Sequence, residues 1–137
     1  MIRKDKIEFF VKYYLPVFAW MGLIFYFSSL EGDVLTQGAD KSIWFYIERK
    51  GAHVFEYAVL TVLIARIILA KSDIKKLVHK LILSGGLTLM YAFSDEIHQL
   101  FVVGREGKIS DVGIDTIGII IASIVIYGFY RNKNLYK

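Results

Sequence analysis

Four long apolar runs divide the chain: Tyr13–Leu30, Gly51–Ala70, Leu77–Val103 and Val112–Tyr130. Each is close to or longer than the roughly 20 residues an α-helix needs to cross about 30 Å of hydrocarbon. None alternates apolar with polar positions as a half-buried strand does, which argues against a transmembrane β-barrel. The pattern predicts an all-α bundle of four transmembrane helices forming a single domain over residues 1–137. The first run is longer than the apolar core of a signal peptide. Because Phe27-Ser28-Ser29 is also a poor cleavage site, the run reads as a retained helix.

Composition agrees with the pattern. At 55% hydrophobic and 22% charged residues, the chain is too apolar for an ordinary soluble domain. It contains no cysteine, so disulfide frameworks and thiolate chemistry are excluded. A net charge of +4 raises the question of nucleic acid. The basic residues lie between apolar runs rather than along one face, however, so no nucleic-acid partner is expected. They set topology instead. Of 17 Lys and Arg, twelve precede the first run, fill the second connection or follow the last run, and five lie in the first and third connections. Positive residues accumulate in the cytoplasm, so both termini are expected there, in a multi-pass protein of the bacterial plasma membrane.

The first connection, Glu31–Glu48, is long enough for a short interfacial helix, with Trp44, Phe45 and Tyr46 at headgroup level. Gly85-Gly86 and the Gly118-x-x-x-Ala122 spacing predict close helix approach.

The segment FSDEIHQLF, residues 93–101, sets two acids and a histidine beside thirteen uncharged residues, LILSGGLTLMYAF. Unpaired charges are costly in hydrocarbon, so such groups face the bundle interior. With cytoplasmic termini, Lys50, His53 and Glu56 fall at the outer end of the second helix. Ser94, Asp95, Glu96, His98 and Gln99 close the third at that end, and Asp111 and Asp115 open the fourth. Lys50, His53 and Tyr57 are three and four apart and share a face; so do Asp95, Glu96 and Gln99; Asp111 and Asp115 stack one turn apart. The expectation is an outward-open polar pocket formed by three helices, with Arg105 above it.

These residues resemble the VanZ-like family: Arg49-Lys50-x-x-His53-x-x-Glu56-Tyr57, then Ser94-Asp95-Glu96-x-His98-Gln99-x-Phe101, Gly104-Arg105, and Asp111-x-x-x-Asp115-x-x-Gly118. The first helix, ending Ile24-Phe25-Tyr26-Phe27-Ser28-Ser29, is similar as well, and the likeness covers roughly residues 13–125. The resemblance implies a link to resistance against the glycopeptide teicoplanin, and it carries over Lys50, His53, Tyr57, Asp95, Glu96, Gln99, Arg105 and Asp111. The chain departs from it at Asp115, where many members have asparagine.

Several readings of the cluster stay open. It can be an ion-pair network joining helix ends. It can recognise phosphate on a membrane lipid or lipid-linked envelope precursor: Arg105 offers a planar fork, and Lys50 a second charge. In an enzyme of that kind, His53 serves as base or nucleophile, Asp95 or Glu96 orients it or donates a proton, and Asp111 completes the candidate catalytic set. Glu56, Tyr57, Gln99 and Asp115 then join Lys50 and Arg105 as ligand contacts. The cluster can also hold a metal, with His53-x-x-Glu56, Asp95, Glu96, His98, Asp111 and Asp115 supplying two or three ligands. No His-Glu-x-x-His or comparably specific spacing is present, however, so no metal ligand is assigned and no cofactor is identified. A transporter is disfavoured by the absence of broken-helix repeats.

Overall fold

In a computed structural model, described for residues 4–30, 43–105 and 107–135, the chain folds into four long helices. They are α1 (Lys4–Ser29), α2 (Ile43–Lys71), α3 (Leu77–Gln99) and α4 (Ile109–Leu135). All four are long and apolar enough to cross a membrane. No strand occurs among the described residues.

Each boundary has a local cause. Helix α1 begins at Lys4, nine residues before the apolar run, because KDKIEF, though charged, contains no Gly or Pro and half of it is Lys and Glu, good helix formers. It opens into a π-turn over Phe10–Tyr14, in which the Leu15 N–H bonds the Phe10 carbonyl five residues back. The wider turn stands just ahead of Pro16, whose ring would otherwise crowd the carbonyl of Lys12. Trp44, Phe45 and Tyr46 lie in the first turn of α2 rather than in a separate interfacial element. The rest of the first connection, residues 31–42, lies outside the described residues. Between α2 and α3, Ser72 accepts the Ile74 N–H in a tight turn (3.1 Å). Helix α3 stops at Gln99, four residues short of the apolar run. Gly104 takes φ 72°, a left-handed conformation that other residues adopt only with strain, and this reverses the chain toward α4.

Helices α2, α3 and α4 pack mutually, while α1 packs on α2 and α3 but not on α4. The main apolar core joins Val17 and Ile24 of α1 with Tyr57, Leu60, Ala92, Val112 and Ile119. Large apolar side chains such as Phe18, Ile82, Met90 and Ile124 point outward, as a lipid solvent requires. Three interior hydroxyls bond locally: those of Thr61, Ser84 and Thr88 donate to carbonyls four residues back, and Thr61 and Thr88 face each other at 3.3 Å.

The small residues divide into two kinds. A Cβ on Gly118 would run into the Val54 carbonyl and the Ala58 backbone nitrogen of α2, whereas one on Gly86 would meet nothing. Gly118→Ala is therefore expected to pry α2 from α4 and cost about 1–3 kcal/mol, as overpacking against backbone does. Gly86→Ala should be neutral or slightly stabilising. Paired thermal unfolding of the two variants in detergent checks the contrast.

Candidate functional site

The connected ends of α1 and α2, and of α3 and α4, lie at the same end of the bundle, and the ionisable residues collect there. On α2, Arg49, Ala52, His53 and Glu56 follow helical spacing and line one side of a cavity of about 380 Å³. Asp95 and Gln99 of α3 line another side, Arg105 reaches it from the following loop, and α1 closes it with Ile24, Phe27 and Ser28. The walls thus combine two guanidinium groups, an imidazole, carboxylates and an apolar strip. Asp95 and Gln99 are buried and bonded to each other, the Gln99 amide donating to Asp95 Oδ2 at 2.9 Å. Asp95 Oδ1 and the Ser28 hydroxyl are buried without a partner among the described residues.

A second group lies beside the cavity. Asp115, fully buried on α4, meets His53 at 3.1 Å between Oδ1 and Nδ1. Glu96, also buried, accepts the Lys108 backbone N–H at 2.7 Å. The loop folds tightly enough over this carboxylate that a Cβ on Gly107 would strike the Glu96 carbonyl oxygen. At the periphery, Lys50 pairs with Asp111 at 3.4 Å, with half the lysine side chain in solvent (52%). An exposed pair of this kind adds little stability.

The expected site residues therefore separate. His53, Glu56, Asp95, Gln99 and Arg105 line the cavity; Lys50, Tyr57, Glu96, Asp111 and Asp115 do not. Lys50 and His53 share a face, but it meets Asp111 and Asp115 of α4. The cavity face of α2 is instead the adjacent one that carries Arg49, and Tyr57 is wholly buried near Tyr91 (ring centroids 6.5 Å apart), its hydroxyl lacking a partner among the described residues. Arg49, four residues before His53 and seven before Glu56, was the residue that helical spacing could have identified.

Arg105 reaches the cavity and has a second role. Its Nε donates to the Leu30 carbonyl (3.1 Å) and its Nη2 to the Phe27 carbonyl (2.7 Å), so it also caps the C-terminus of α1. Partial burial and the nearby Arg49 pull its guanidinium below the usual value, while Asp95, Glu96 and Glu56 oppose that shift.

The first helix, left out of the three-helix expectation, is tied to this end by further polar contacts. Trp20 donates its indole N–H to the Glu56 carbonyl (2.9 Å), and the Tyr91 hydroxyl donates to the Met21 carbonyl (2.7 Å). His98 Nε2 meets the Ser29 hydroxyl (3.0 Å), and its ring stacks on Phe25 (4.3 Å).

Four apolar spans enclosing ionisable groups at one end define a multi-pass membrane protein. Residues 13–131 match the VanZ/LLP1 family, and the chain belongs to that family. Neither a curated protein nor a solved structure matches it.

Proposed function

We propose that this VanZ-like protein binds, and acts on, a lipid-linked component of the bacterial cell envelope, taking its anionic headgroup into the cavity between α1, α2 and α3. The supporting observation is the make-up of the cavity wall. Arg49 and Arg105 suit a phosphate or pyrophosphate, the unpartnered Asp95 Oδ1 and Ser28 hydroxyl suit a polar headgroup, and Ile24, Phe27 and Ala52 suit an acyl or prenyl stem. His53 is the candidate base or nucleophile. Asp95 at the wall and Glu96 beside it are the candidate proton donors, with Asp111 farther out. The positive-inside distribution of Lys and Arg supports cytoplasmic termini and a cavity at the outer leaflet. A ligand there accords with a role in teicoplanin tolerance.

Two measurements test this reading. The chain has no cysteine, so single replacements report topology directly. Val103→Cys should react with an impermeant maleimide on intact cells, and Ser72→Cys only after permeabilisation; the reverse result removes the outward-facing cavity. Ala52→Trp places an indole in the cavity and should abolish retention of a lipid-linked pyrophosphate by the nanodisc-embedded protein, read by native mass spectrometry. Equal retention by both proteins, or none by the wild type, rejects the headgroup assignment.

The competing reading, a non-catalytic ion-pair network joining helix ends, draws on the pairing of His53 with Asp115 and of Lys50 with Asp111, and on the Arg105 cap. It predicts that substitutions in the cluster lower stability without separately abolishing ligand retention.

A further inference from the structure

His53, Glu96 and Asp115 come from three different helices, yet one donor atom from each lies within 4.8 Å of the others. Donors bound to one first-row cation at about 2.0–2.2 Å are separated by roughly 3–3.5 Å at tetrahedral angles. The His53–Asp115 contact of 3.1 Å already has that spacing, and a side-chain shift of about 1 Å brings Glu96 to it.

A second observation points to a ligand. Glu96 and Asp115 are 6% and 0% exposed, and Glu96 Oε1 and Asp115 Oδ2 are buried with no hydrogen-bond partner among the described residues. Two buried carboxylate oxygens without donors are costly, and a shared cation removes that cost. The other Glu96 oxygen is fixed by the Lys108 N–H, an outer contact of the kind that orients a ligating carboxylate.

We infer that His53, Glu96 and Asp115 bind a divalent first-row cation, zinc or manganese, beside the cavity that His53 also lines. One imidazole and two carboxylates, with no thiolate, suit these ions and leave a coordination position for water or a ligand oxygen. The inference rests on the triad alone and does not depend on what enters the cavity. With the cation bound, His53 and Glu96 act as ligands, and the proton-transfer roles pass to Asp95 and to a cation-bound water. The three residues are among the ligand candidates that the sequence offers, but no local motif sets them apart from Glu56, Asp95, His98 and Asp111; the fold does.

The test uses tag-free, detergent-purified protein stripped with chelator and titrated calorimetrically with zinc and manganese chlorides. The expected result is saturable binding of one cation per chain, with a raised unfolding temperature. Glu96→Gln and Asp115→Asn should each weaken affinity by at least about tenfold. Absence of saturable binding, or binding that both variants retain at full affinity, overturns the inference. If the variants do not fold, cobalt(II) titrated into the stripped wild type decides: a change in its visible bands that saturates at one equivalent upholds the site, and bands that stay those of aqueous cobalt throughout overturn it. None of these readouts requires the lipid ligand, so failure of the headgroup assignment leaves them interpretable.

Discussion

His53→Ala is expected to destabilise the protein by about 3 kcal/mol, the upper end of the cost of leaving a buried polar group without its hydrogen-bond partner. The imidazole is the partner of Asp115 Oδ1, and the Asp115 side chain is 1% exposed. Its other oxygen has no partner among the described residues, so the truncation leaves the whole carboxylate unsatisfied in low dielectric. A double variant, His53→Ala with Asp115→Leu, removes the stranded group and should recover much of the loss. The two effects are thus expected to fall short of additivity by about 2 kcal/mol or more. Equilibrium unfolding of the three variants in one detergent measures this. Additive losses would mean that the 3.1 Å contact contributes little, and would also weaken the case for a shared cation.

The second large effect is expected at Arg105. Alanine removes both donors to the Phe27 and Leu30 carbonyls, which end α1. Hydrogen bonds from a charged donor are worth about 1.5–3 kcal/mol each when buried. One of the two is exposed and open to water, so a combined loss of about 2–4 kcal/mol is expected. Lysine keeps the charge but cannot reach two carbonyls with a fixed planar fork, so Arg105→Lys should lose about half as much. Thermal unfolding in a Trp44→Phe background, where emission comes from Trp20 on the helix that is released, reports it. If Arg105→Lys unfolds like the wild type yet no longer retains the lipid-linked pyrophosphate, the guanidinium serves the ligand and not α1.

The spans were legible because hydropathy reports what faces lipid, and all four cores fall where the apolar runs put them. Their ends were less so. Lys4–Phe9 is helical but charged, and Leu100–Val103 is apolar but lies beyond the end of α3, so composition misplaces both boundaries. That the acids of α3 and α4 lie at one end with His53 followed from helix direction alone. Which α2 face meets the cavity did not follow, because Arg49 and Lys50 differ by one 100° step and only packing against α3 selects between them. The His98–Ser29 contact and the Arg105 cap were beyond reach for another reason. One joins spans 69 residues apart, and the other ends on carbonyls that every residue carries.

Three donors, Trp20, Tyr91 and Arg105, grip main-chain oxygens at Glu56, Met21, Phe27 and Leu30. Leu30 contributes only its carbonyl and is thereby freed from any obligation to keep its own side chain for docking. Natural variants should accordingly drift at Leu30 while holding the arginine, a one-sided tolerance that residue-pair covariation would overlook.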